Sequence, residues 1–173
     1  MTFAGLLLAG TLLAQVSLRS DSFQMEFSST GEIIKMVDSG SGINYVPDGN
    51  PGQLIRVKSG NKELNPASLK VRNNLFRFTY DRGIELHVEA IETPDYIKFE
   101  LTKAVGHEKI GAVLWGPFNT TIGDTIGEVV GVVRNKKFAI GMRALNAKTI
   151  GGKLDNDEGV ASASASISGS AAS

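Results

Sequence analysis

The sequence predicts an all-β protein, an antiparallel β-sandwich followed by a disordered C-terminal tail. Three observations carry that prediction. Apolar residues recur at every second position in one short stretch after another, which is the period of a half-buried strand. Tight turns of Gly, Asn, Asp and Pro separate these stretches, as in hairpin-rich folds. No stretch beyond residue 14 carries an apolar stripe at helical spacing.

The chain opens on FAGLLLAGTLLA at residues 3–14. This uncharged run is too short to span a bilayer as a helix. It fits the apolar region of a signal peptide at residues 1–14, with cleavage before Gln15. The expected location is therefore secreted or periplasmic. The chain has no Cys, which excludes disulfides, thiolate metal ligands and a bacterial lipid anchor. No later segment is long and apolar enough to span a membrane.

Residues 15–152 form the expected sandwich domain. Phe23, Met25 and Phe27 alternate with polar neighbours, and Ser28-Ser29-Thr30-Gly31 turns the chain into a second strand at residues 32–37. Ile55 and Val57 follow the breaker-rich residues 47–52. Phe76, Phe78 and Tyr80 share one face, with Arg77 and Thr79 on the other. Asp81-Arg82-Gly83 is a turn, and Leu86, Val88 and Ala90 line the next strand. After Pro94-Asp95 come Ile97, Phe99 and Leu101. Strands are then expected at residues 112–118, 129–134 and 138–145, the last two joined by Asn135-Lys136-Lys137. No fixed-period repeat is present, so a propeller or solenoid is not expected.

Residues 153–173 read differently. The stretch VASASASISGSAAS is almost pure Ala and Ser, without charge or aromatic ring. It buries too little apolar surface to offset the entropy of ordering it, so a linker or tail is expected. A linker there suggests that the chain is the front piece of a longer protein.

The 173 residues allow one domain with a sizeable core. Hydrophobic residues make up 42% and charged residues 21%, and the formal net charge is zero. That balance argues against a nucleic-acid partner or an anionic membrane, both of which favour basic excess.

The candidate site is the stretch AVLWGPFNTTIGDT at residues 112–125. It holds the only Trp, Trp115, before a polar loop with Asn119, Thr120, Thr121 and Asp124; Glu128 follows. An aromatic face is a platform for the C–H groups of a sugar, and neighbouring polar groups bond its hydroxyls. The plainer reading is that Trp115 fills the space between two sheets. Asn119-Thr120-Thr121 also fits a glycosylation sequon. Asp124 and Glu128 are the best carboxylate pair for glycoside hydrolysis, although carboxylates beside turns usually bond local N–H groups. His87 and His107 suit proton transfer in principle but read as surface residues. No His cluster or EF-hand spacing points to a metal. Gly123, Gly127 and Gly131 read as strand and bend glycines. AKTIGGKL lacks the leading Gly and the trailing hydroxyl of a phosphate loop. No catalytic residue and no cofactor are assigned.

FQMEFSSTGEIIKMVDSGSGINYV resembles the first hairpin of the galactose mutarotase-like β-sandwich, the supersandwich. VLWGPFNTTIGDTIGEVVGVVRNKKFAIGMRALNAKTIGG resembles the N-terminal sandwich of large secreted glycoside hydrolases of Bacteroidetes. The two stretches together place the resemblance over residues 18–152. It implies an accessory domain that precedes a separate catalytic barrel or toroid in cis and helps to shape its sugar site. The catalytic carboxylates would then lie downstream, outside this chain. His87 and His107 do not match the His pair and Glu base of the aldose epimerases in that superfamily. Three readings follow. The chain is a non-catalytic accessory or carbohydrate-binding domain for an oligosaccharide or polysaccharide. Alternatively, it is a small sugar-active enzyme using Asp124, Glu128 or a His, or a purely structural docking module.

Overall fold

The computed structural model describes residues 16–127, 131–146, 148–154 and 161–165; the expected signal peptide lies outside them. The described part is all-β and antiparallel throughout. Strands β1 (Val16–Arg19), β2 (Phe23–Phe27), β3 (Glu32–Asp38) and β4 (Gly52–Gln53) follow one another in sheet I. The hairpin of β5 (Ile55–Ser59) and β6 (Lys62–Leu64) starts a second sheet, here sheet III. Next come β7 (Ser68–Arg72), β8 (Leu75–Tyr80), β9 (Ile84–Glu92) and β10 (Ile97–Val105), which form sheet II in the order β10-β9-β8-β7. The chain returns to sheet III as β11 (Ala112–Phe118) beside β5. Then β12 (Thr125–Gly127), β13 (Val132–Arg134) and β14 (Ala139–Gly141) make the small sheet IV. Finally β15 (Thr149–Leu154) and β16 (Ala161–Ala165) complete sheet III in the order β15-β16-β11-β5-β6.

Sheet II faces sheets I and III across one core. Phe76, Phe78 and Tyr80 of β8 and Leu86, Val88 and Ala90 of β9 point inward, as the alternation predicts. They meet Met25, Phe27 and Ile33 of sheet I and Ile55, Val57 and Val113 of sheet III. Phe27 makes edge-to-face contacts with Phe76 and Phe99 across the layers, at ring-centre distances of 5.5 and 6.3 Å. The Tyr80 hydroxyl donates to the Ile55 carbonyl at 3.2 Å, tying sheet II to sheet III. Burial pushes its phenol well above the ordinary range.

Two bulges depart from the simple period of two. In β3 the register slips at Ile34, so that Ile33 faces Phe27 while Lys35 faces Glu26. The extra residue lets Ile33 and Met36, three apart, both point into the core. In β10 the slip falls at Thr102: Leu101 pairs with Val88 and Lys103 with His87. Lys103 is thereby turned outward.

Gly31 sits at a left-handed φ of +81° with Phe78 seated where a side chain would go; a Cβ there would meet the ring at 2.6 Å. The turn between β2 and β3 therefore closes directly on the core. Several elements lay outside the alternation signal. The short strands β1, β4, β6, β7 and β12 were not predicted. The strands expected at residues 129–134 and 138–145 occupy Val132–Arg134 and Ala139–Gly141. Of the stretch read as a tail, Lys153 and Leu154 end β15, and Ala161–Ala165 pairs with β11 as β16. Pairing satisfies backbone groups of β11 that would otherwise form an open edge. The rest of that stretch lies outside the described residues.

Candidate functional site

The Trp-Gly-Pro-Phe stretch lies within β11, the strand expected at residues 112–118. Trp115 is in mid-β11, opposite Ile55 on one side and Ala163 on the other. It is part-buried and packs against the main core. The pairing with β16 slips between Trp115 and Phe118, where Pro117 has no N–H to offer. On the other flank, the Arg56 side chain donates from Nε to the Gly116 carbonyl at 2.8 Å and pairs with Glu63.

The backbone at residues 117–119 is pressed against β4. A Cβ on Gly52 would lie 2.3 Å from the Pro117 carbonyl oxygen and 2.9 Å from the Asn119 nitrogen. Both neighbours are backbone, so this approach requires glycine. The loop that follows is anchored by its own polar groups. Asn119 is buried, and its Nδ2 donates to the Asn50 carbonyl and side chain and to the Pro51 carbonyl, at 3.2–3.4 Å. The sequon nitrogen is therefore engaged inside the fold. Thr120 is buried as well, and its hydroxyl accepts the Ile122 N–H at 2.8 Å. Thr121 donates its N–H to the Tyr45 carbonyl at 2.8 Å. Ile122, Tyr45 and Val133 then form a second small core under sheet IV, where Tyr45 stacks on Phe138 at 5.0 Å.

Trp115, Asn119 and Thr120 are thus each engaged within the fold. Thr121 and Asp124 are exposed on the loop. Glu128, the partner expected for Asp124, lies outside the described residues.

A different cluster forms on the outer face of sheet II. Glu85 accepts a bond from Arg77 and one from His87 Nε2, each at 2.5 Å. The Arg77 bond first, and the His87 bond second, hold the Glu85 carboxyl below its ordinary range. The guanidinium of Arg77 is held more firmly protonated in return. A carboxyl so stabilised as an anion is a poor general acid, which needs a raised value. The cluster suits charge presentation better than proton transfer. His107 sits apart from it in hydrogen bonding, in the 3-10 turn His107–Lys109.

Sequence reasoning left His87 as an isolated surface residue. The signal for its partners was available in the turn. Tyr80 pairs with Ile84 around Asp81-Arg82-Gly83, which sets Arg77 opposite His87 and Thr79 opposite Glu85. Among the described residues no group of three His, Asp or Glu side chains is placed to hold a metal, and no helix is long and apolar enough to cross a membrane. Comparison with known protein families, characterised proteins and solved structures finds no match to this chain.

Proposed function

We propose that this chain is a non-catalytic accessory β-sandwich associated with a secreted or periplasmic glycoside hydrolase. Its partners are an oligosaccharide or polysaccharide and a catalytic domain in cis. One observation supports the reading above the others: the stretch that carries the resemblance to such sandwiches serves the fold. Trp115 packs on the core, Gly116 accepts from Arg56, and Asn119 clasps Asn50 and Pro51. A side chain committed to internal bonds is not available to grip a ligand, so any sugar contact belongs to other surfaces. The galactose mutarotase-like assignment, the secreted location and the link to Bacteroidetes enzymes rest on the sequence resemblance alone.

Two measurements test this. The folded chain should bind polysaccharide in a panel of immobilised glycans yet turn over none of a set of aryl glycosides. Trp115→Ala should lower stability by about 2–4 kcal/mol without selectively removing glycan binding. Turnover that disappears in Asp124→Asn would replace this reading with that of a small enzyme.

A further inference from the structure

The geometry points to the outer face of sheet II as the binding surface for an anionic polysaccharide, a chain of uronic acid residues. The inference rests on the carbohydrate-associated reading above and names the class of sugar. Four basic side chains lie in one row across the sheet. Lys70 pairs with Arg77, Arg77 with His87, and His87 with Lys103. Directly opposed residues project from the same face, and three strand spacings make the row about 14 Å long. Lys70, Arg77 and Lys103 are exposed.

The bulge at Thr102 is what completes the row. Without the slip, Thr102 would stand opposite His87 and Lys103 would turn toward the core. The Thr102 hydroxyl donates to the His87 carbonyl at 3.2 Å and holds the slipped register. Lys70 and Lys103, with Arg72 one row away, have no carboxylate at ion-pair distance among the described residues. They are cations open to an outside anion.

The same face also carries Glu85, Glu89 and Glu100, which decides between polyanions. A nucleic-acid backbone presents closely spaced phosphates, which these carboxylates repel. A polyuronate carries hydroxyls between its carboxylates, and the glutamates can accept them while the lysines take the charge. Beside the row, Tyr96 stands immediately before β10 and is 53% exposed. By alternation it lies on the side of Lys98 and Glu100. Its ring offers an exposed apolar platform, whereas Trp115 is part-buried against the core.

The test is calorimetric titration of the full chain with polygalacturonate, a neutral polysaccharide and a single-stranded DNA oligomer. Polygalacturonate should bind most tightly, and more weakly as salt rises. The Lys70→Glu/Lys103→Glu variant should weaken it at least about tenfold, and Lys70→Gln/Lys103→Gln by less. Tyr96→Ala should weaken it about fivefold. All three side chains are exposed, so circular dichroism and thermal midpoint should be unchanged. Binding that is indifferent to these variants, or DNA bound as tightly as polygalacturonate, overturns the inference. A chain that binds only the neutral polysaccharide also overturns it but leaves the accessory-domain reading standing. A folded chain that binds no glycan removes both.

Discussion

The main core and the small core under sheet IV are built on different principles. In the main core, sheets I, II and III each contribute inward-facing aromatic and aliphatic side chains, many of them fully buried. Under sheet IV, the buried residues among those described are Tyr45, Ile122 and Val133, with Phe138 and Ile140 packed at their edge. The small core depends on single contacts: the Tyr45–Phe138 stack, the Asn135 amide on the Tyr45 hydroxyl, and the Thr121 N–H on the Tyr45 carbonyl. A cluster shared by three sheets unfolds as a unit, whereas one held by a few contacts can open alone. The difference teaches where this protein tolerates change.

The largest effect should come from emptying the main core. Phe78 is fully buried and seals the turn at Gly31. Phe78→Ala should cost about 3–5 kcal/mol of global stability, read as a shift in the urea midpoint at unchanged slope. A loss below about 1 kcal/mol would mean that the sheets are not packed through this ring.

Next in size is the seam between sheets I and III. Gly52→Ala places a Cβ against the backbone of Pro117 and Asn119, and relieving that overlap should cost about 1–3 kcal/mol. Because Asn119 bridges to Asn50 and Pro51, the Gly52 variant should also loosen the loop that leads to sheet IV. Amide exchange would then rise at Thr121 and Ile122 before it rises in β8 or β9.

A smaller, local effect should follow in the small core. Tyr45→Ala should release sheet IV, lowering the protection of β13 and β14 by about 2 kcal/mol. Protection in β8 and β9 should stay close to that of the wild type. Equal loss in both regions would merge the two cores into one and remove the contrast.

The same contrast explains what could be read from the sequence. The main core was legible because its strands repeat strictly: Phe76-Arg77-Phe78-Thr79-Tyr80 announces its inward face residue by residue. Strands β7 and β6 were missed because SLKVR and KEL are short and mostly polar. Their strand character comes from pairing with β8 and β5, a tertiary effect that no local pattern encodes. The bulges at Ile34 and Thr102 were invisible for a related reason, since a register slip is a property of two strands together. Trp115 was recognised as important, and its ambiguity between platform and plug was real. The contacts that flank it, Asn119 bonded to Asn50 and Gly52 pressed on Pro117, join residues far apart in the chain. The Arg77–Glu85–His87 cluster needed only the turn register, so it was within reach of the sequence.

The smallest effect should be electrostatic and confined to the outer face of sheet II. Arg77 and His87 hold the Glu85 carboxyl below its ordinary value of 4.5. The folded protein therefore takes up this proton less readily than the unfolded chain does. The contribution to stability is complete above the unfolded value and is lost as pH falls through the folded one. Glu85→Gln removes that linkage while keeping the size of the side chain. The stability gap between wild type and variant should be constant near neutral pH and should shrink as pH falls below about 4.5. Urea midpoints of the two proteins at neutral and acid pH measure it directly. A gap that does not change with pH would show that Glu85 acts by packing, and the outer face would then lose its claim to be organised by charge.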